Sequence, residues 1–269
     1  MGDHERGGHS SDRFTGRVAD YDRWRPDYPA QAIDASLELP DGAPDPGREL
    51  VVVDVGAGTG IAARLFAARG CRVLAVEPND EMRDAGQAHP SERIAWLPAT
   101  AERTTLPDAC ADLIVCAQAF HWLDRAAALD EFARVLNPSS PLGRVALLWN
   151  IARDDHAAAN AYRRTMQRHA RDAPCSPWAV NTPVGIDDDP RFADYRLLTF
   201  DHDQSLSFEG LVGRSVSASY APADGPDRAE LEADLRELFD EHADHERGFP
   251  LAYRTEAHLA ELANPAHAD

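Results

Sequence analysis

Apolar and polar positions along this 269-residue chain switch between two periods. Short apolar runs at Leu50–Val55, Cys71–Glu77, Arg93–Leu97, Ala111–Ala117 and Gly143–Asn150 read as strands. Between them, Ile61–Arg69, Asp80–His89 and Arg125–Leu136 carry apolar residues at helical spacing. Regular strand–helix alternation with short connections predicts a parallel sheet covered by helices on both faces. Upstream, the pattern predicts a short helix ending at Trp24, a break over Arg25–Pro29 and a helix from Ala30. A Pro/Gly linker over 42–49 leads into the first strand. After Asn150 the rhythm changes. Helices are expected over Asp154–Arg171, Phe208–Val216 and Asp227–His242, with strands over Tyr195–Asp203 and Phe249–Glu256. The stripe Leu231, Leu235, Leu238 and Phe239 reads as core. The expected unit is one domain over 14–260 behind a polar tail at 1–13, a stretch with no signal-peptide character.

Composition narrows the chemistry. The net charge is −19, from 46 acids against 27 bases, which disfavours nucleic acid and anionic membranes as partners. Every base is arginine. Without a lysine the chain cannot be a pyridoxal enzyme, a Schiff-base aldolase or a P-loop kinase. Cys71, Cys110, Cys116 and Cys175 form no CxxC pair, so thiols in a cytoplasmic protein are expected. No stretch approaches the ~18 apolar residues of a membrane span. Asp187, Asp188 and Asp189 are adjacent, with no spacing that aims them at one ion, and no metal is expected.

The segment ELVVVDVGAGTG ends a strand in an acid and opens a helix through a glycine-rich turn. Gly56, Gly58 and Gly60 read G-x-G-x-G; the dinucleotide fingerprint needs glycine at the position of Ile61. Glu77, at the end of the next strand, suits the two hydroxyls of a ribose. These residues resemble motif I and the following acidic site of class I S-adenosylmethionine (SAM)-dependent methyltransferases. Further segments resemble the methyltransferase type 11 group, especially members related to trans-aconitate methyltransferase: Phe14…Tyr21…Arg25-Pro26-x-Tyr28-Pro29, AERTTLPDACADLIVCAQAFHWLD (101–124), RVLNP (134–138), LLWN (147–150), GRSVSASY (213–220) and YRTEAHL (253–259).

The resemblance implies a Rossmann-like α/β fold: seven strands, mostly parallel, the last antiparallel. Helical lid segments are expected at about 14–40, 154–194 and 205–245. It implies SAM as cofactor and S-adenosylhomocysteine (SAH) as product. Cofactor contacts are expected from Tyr21, Arg25, Tyr28, Asp54, Gly56, Ala57, Gly58, Gly60, Glu77, Pro78, Met82, Ala101, Glu102 and Gln118. Thr100 stands where family members commonly have an acid for the adenine amine. Arg25 is expected to clamp the methionine carboxylate with its planar fork.

His121, Trp122 and Asn150 follow strand ends on the edge where α/β sheets bind ligands, and they are the catalytic candidates. An imidazole there can accept a proton from an attacking group, or His121 and Trp122 can simply pack the next helix. Displacement at a sulfonium methyl is largely proximity and desolvation, so no base is obligatory. Trp178, Arg214, Ser219 and Tyr220 are the substrate-binding candidates. The expected reaction is methyl transfer to an oxygen, nitrogen or carboxylate of a small molecule, in specialised metabolism, by a monomer or homodimer. The alternatives are a non-methylating cyclisation or elimination on the same fold, a nicotinamide oxidoreductase, and a noncatalytic binding module.

Overall fold

A computed structural model describes residues 17–40, 47–170 and 185–263. The expected tail, Phe14, Cys175 and Trp178 lie outside the described residues. Seven strands form one sheet among the described residues, in the order β3-β2-β1-β4-β5-β7-β6. They are β1 (Val51–Val55), β2 (Arg72–Val76), β3 (Ile94–Leu97), β4 (Leu113–Ala117), β5 (Arg144–Ala152), β6 (Phe192–Leu206) and β7 (Phe249–Leu262). β1 pairs in parallel with β2 and β4, placing Val53 opposite Leu74 on one side and Ile114 on the other. β2–β3 and β4–β5 are also parallel. β7 runs the other way: Leu262 N–H donates to Gly143 O and Arg153 N–H to Ala252 O, so one index falls as the other rises. The chain leaves β1 toward β2 and β3, then returns to β4 and β5. The reversal point lies between β1 and β4, where sheets of this kind bind ligands at the strands' carboxyl ends.

The helices are α1 (Val18–Trp24), α2 (Ala30–Leu37), α3 (Ile61–Ala67), α4 (Asp80–Gln87), α5 (Arg125–Val135), α6 (Ala157–His169), α7 (Phe208–Val216) and α8 (Gly225–His242). Local chemistry fixes their starts. Asn79 caps α4 by accepting from Met82 N–H at 2.9 Å, Asp124 caps α5 and Ser207 caps α7. No helix among the described residues is long and apolar enough to cross a membrane.

The chain divides into two compact units. In one, the described residues are 27–149, 185–200 and 255–263. Two apolar clusters form there, one containing Val53, Ile114, Phe120, Phe132 and Leu147, the other Ile33, Val52, Phe66, Leu113 and Leu148. Alternate residues of β1 and β4 thus face opposite ways into separate clusters. Arg144 is fully buried in this unit, donating to the Glu38 carbonyl at 2.9 Å and to Glu261 at 2.7 Å. The other unit comprises described residues 17–26, 150–170 and 201–254, including most of the segments expected as lids. Its core gathers Tyr162, Met166, Leu211, Leu231, Leu235, Phe249 and Tyr253. β5, β6 and β7 contribute residues to both units.

β7 extends to Leu262, six residues beyond the expected end at Glu256. Polar residues beyond that expected end are partnered. His258 Nδ1 lies 2.8 Å from Tyr195 Oη, and Glu261 pairs with Arg144. The acidic run resolves into a local pair, with Asp189 accepting from the backbone and guanidinium of Arg191. Among the described residues no cluster of His, Cys, Asp and Glu is arranged to hold a metal ion.

In the second unit α1 approaches α7 closely because α7 presents glycine. A Cβ on Gly213 would stand 2.2 Å from Trp24 Cδ1, and one on Gly210 would stand 2.8 Å from Trp24 Cζ3. Gly213→Ala is therefore expected to cost about 1–3 kcal/mol by overpacking. Chemical denaturation measures it; a variant as stable as wild type would show that Trp24 does not pack there.

Candidate functional site

The glycine turn after β1 is shaped by backbone. Gly56 and Ala57 N–H both donate to Val76 O, at 2.9 and 3.1 Å, which ties the turn to the end of β2. Gly56, Gly58 and Gly60 have φ of +65°, +58° and +80°, a region that side chains disfavour. Two of these glycines also make room for packing. A Cβ on Gly56 would lie 2.7 Å from Ala119 Cβ, and one on Gly60 would lie 2.9 Å from Trp96 Cη2. Trp96 is received on its other side by Gly86, where a Cβ would approach to 2.2 Å.

Glu77, one residue past β2, is 8% exposed. Its Oε2 accepts from Gly58 N–H at 2.8 Å and its Oε1 from Asn79 N–H at 2.8 Å. Desolvation raises its pKa, opposed by those two bonds and by Arg83. A carboxylate has about four acceptor positions, so two protein donors leave capacity for a ligand's hydroxyls.

Asp54, inside β1, is fully buried and neither carboxylate oxygen has a hydrogen-bond partner. Desolvation pushes its pKa up to about 7, with a further upward push from Glu77. The Ala63 N–H and Arg64 pull the other way, although no group meets hydrogen-bond geometry with either oxygen. A lone acid in a buried apolar strand has no stabilising role there.

The loop after β4 carries Gln118 at φ +60°, an uncommon conformation for a non-glycine residue. Its N–H donates to Leu148 O at 2.8 Å. A single 3-10 turn, Phe120–Trp122, follows. Phe120 is buried against Phe132 and Trp149 and anchors the turn. His121 and Trp122 are half-buried, with ring centroids 4.6 Å apart. Glu102 accepts from Asp124 N–H at 3.1 Å; Ala101 is buried, and Thr100 is exposed in a bridge with Arg103. Pro78 is exposed and Met82 buried. Tyr28 is 7% exposed and lies in the apolar cluster with Ile33 and Val52.

The remaining candidates belong to the other unit. Asn150 Oδ1 lies 3.2 Å from His202 Nε2, and the His202 ring stacks on Tyr253 with centroids 5.5 Å apart. Tyr253 Oη accepts from Arg214 Nε at 2.9 Å. Arg25 lies over the Tyr21 ring, 4.7 Å from its centroid. Ser219 and Tyr220 are half-buried. Sequence reasoning missed Asn79, His202, Tyr253, Tyr162 and Ser217. Asn79 carried a legible signal, an Asn directly before Asp-Glu-Met at a helix start. The others carried none, because they meet only through tertiary folding.

Residues 53–142 match the family model of the methyltransferase domain. That segment is therefore similar to the family's domain, and the β3-β2-β1-β4-β5-β7-β6 sheet with the glycine turn forms a Rossmann-like fold. The chain is 42% identical over 137 residues to an uncharacterized methyltransferase of Mycobacterium tuberculosis, covering 51% of each chain. It is 31% identical over 164 residues to an uncharacterized methyltransferase-like protein of Schizosaccharomyces pombe, covering 60% of each. The chain thus spans about half the length of the curated relatives it matches. A structure from Anaeromyxobacter dehalogenans, described provisionally as a type II methyltransferase, superposes with a TM-score of 0.60 at 23% identity, covering 88% of this chain and 97% of that one. Haemonchus contortus phosphoethanolamine N-methyltransferase 2, solved with SAH, gives 0.52 at 12% identity, covering 91% and 56%.

The Asp54 shift has a direct consequence. Its folded pKa lies above its unfolded value, so the folded state holds the proton longer and loses stability as pH rises from about 4 to about 7. Asp54→Asn is expected to gain stability relative to wild type across that window, on the order of 4 kcal/mol in total. Thermal unfolding of both proteins from pH 4 to 8 measures the difference; a difference independent of pH would contradict the burial argument.

Proposed function

We propose that this protein is a SAM-dependent methyltransferase acting on an oxygen, nitrogen or carboxylate of a small molecule. One observation carries the cofactor assignment: a desolvated carboxylate, Glu77, is fixed by the N–H of Gly58 and of Asn79 at the end of β2 with acceptor positions to spare. An acid so held is pre-organised for the paired hydroxyls of a ribose through charge-assisted bonds. The unpartnered oxygens of Asp54 fit the same ligand, since an ammonium or its bound water can answer a buried carboxylate. The glycine turn carries no side chain at Gly56, Gly58 and Gly60, which would let a ligand come close to its backbone.

SAM, when bound, supplies an electrophilic methyl on a sulfonium. The protein's part is to bind, orient and keep water out. On this reading Glu77 holds the ribose, with Pro78 and Met82 flanking it. Thr100, Ala101 and Glu102 line the adenine side, and Gln118 ends the strand nearest the reacting centre. The strained backbone of Gln118 is held by its bond to Leu148, which keeps that loop in one conformation. His121 is the residue available to accept a proton from a hydroxyl or amine acceptor, and Trp122 to wall the site. Asn150 is a candidate for orienting the acceptor. An in-line displacement needs no protein nucleophile, so alignment supplies most of the rate.

Calorimetric titration of SAM and SAH into wild type and Glu77→Gln tests the reading, with NADH as a control. The variant is expected to lose about tenfold or more in affinity, from a bond to a charged group of about 1.5–3 kcal/mol. Binding of NADH but not SAH would overturn the reading. In a screen that follows SAH release, His121→Ala is expected to lower kcat about a hundredfold if it serves as base. An unchanged pH profile would assign it to packing instead.

A further inference from the structure

Glu77 is held by two N–H groups that belong to different elements. Gly58, which donates to Oε2, lies in the glycine turn before α3. Asn79, which donates to Oε1, is the N-cap of α4. Arg83 of α4 also donates to the Glu77 carbonyl at 2.9 Å. The separation of the turn from α4 therefore decides how both donors meet the carboxylate.

One side chain fills that gap. Trp96 comes from β3, where it lies opposite Ala75 of β2. The six-membered end of its indole is seated between Gly60 and Gly86. A Cβ on Gly60 would lie 2.9 Å from Cη2 and 3.0 Å from Cζ2, and one on Gly86 would lie 2.2 and 2.3 Å from the same atoms. The Gly60 N–H donates to Ala57 O at 2.8 Å, so Gly58 sits inside the loop that the indole meets. Gly86 lies in the last turn of α4 and has no left-handed φ. Its backbone does not call for glycine, and glycine weakens a helix; clearance for the indole accounts for it. Filling the core does not explain the fit. Trp96 is half-buried on the edge strand of the sheet, while Ile33, Phe66 and Leu113 fill the interior of the same cluster. All of these residues belong to one compact unit.

We propose that Trp96 is a positioning residue for Glu77: its indole is the spacer that sets the glycine turn and α4 at the separation where Gly58 and Asn79 both reach the carboxylate. That it thereby sets cofactor affinity rests on the SAM reading; the spacing itself stands on the packing. A shorter ring lets the turn and α4 shift, and the two carboxylate oxygens are no longer fixed together for a ribose. A methyl at position 86 drives the indole against Gly60 and displaces the turn the other way.

Trp96→Phe and Gly86→Ala test the proposal, with Phe66→Leu from the same cluster as the control for lost packing. Hydrogen exchange in the ligand-free protein reads the clamp, with the β1 amides as the measure of global opening. Relative to β1, Trp96→Phe is expected to speed exchange at Gly58 and Asn79 about tenfold or more, and Phe66→Leu to leave that ratio as in wild type. In calorimetry, Trp96→Phe and Gly86→Ala are each expected to weaken SAH binding about fivefold or more, and Phe66→Leu by less than about twofold. The double variant is expected to bind SAH more tightly than Gly86→Ala alone, because the shorter ring clears the added methyl. Gly58 and Asn79 amides as protected in Trp96→Phe as in wild type overturn the spacer. So does SAH affinity in Trp96→Phe no weaker than in Phe66→Leu. Should Trp96→Phe not fold, Gly86→Ala carries both readouts. Faster exchange at both amides in a protein whose wild type ignores SAH would leave the spacer standing and remove the methyltransferase reading.

Discussion

The carboxylate of Glu77 is the constraint around which the carboxyl-terminal edge of the parallel strands is organised. A buried acid is tolerated only when its oxygens are satisfied, and here two backbone N–H groups from different turns converge on it. For Gly58 to offer its N–H, the chain after β1 must pass through left-handed conformations, which glycine alone adopts cheaply. The same turn is tied to β2 through Val76 O and clears space for Ala119 after β4. The order of strands then follows from the need to bring β1, β2 and β4 side by side with their carboxyl ends together. Asp54, buried within β1, adds a cost to this arrangement, since neither of its carboxylate oxygens has a hydrogen-bond partner.

The second unit solves a different problem with arginine. Arg17 donates to the Val216 and Ala221 carbonyls at 3.0 and 2.9 Å and closes the end of α7. Burial and the nearby charge of Arg214 lower the pKa of Arg25, whereas at Arg214 burial is outweighed by the phenols of Tyr253, Tyr162 and Tyr220, which raise its pKa. A chain without lysine has only the guanidinium for every cationic task, and its planar fork holds geometry that an ammonium would not.

The parallel half of the fold was legible because its signals are local. The apolar runs ending at Val55, Val76 and Ala117, the glycines at 56, 58 and 60, and the break at Arg25–Pro29 each reduce to chemistry within a few residues. The end of β7 was not legible. Its continuation through His258 and Glu261 rests on Tyr195 and Arg144, which only the fold brings to them. The division into two units was hidden for the same reason, since each is assembled from separate stretches of chain. Glu77 was singled out from its place after a strand, as were Asn150 and Arg214 from theirs, whereas His202 and Tyr253, which join those two across four elements, left no mark in the sequence.

The central claim is that Glu77 recognises the hydroxyls of a ribose rather than merely securing its own loop. A double-mutant cycle addresses it, pairing Glu77→Gln with SAH lacking its 2′-hydroxyl and reading each dissociation constant by calorimetry. The account predicts coupling: removing the hydroxyl weakens binding about tenfold in wild type and little in the variant. Equal losses in both proteins would contradict it and reduce Glu77 to a strut of the glycine turn.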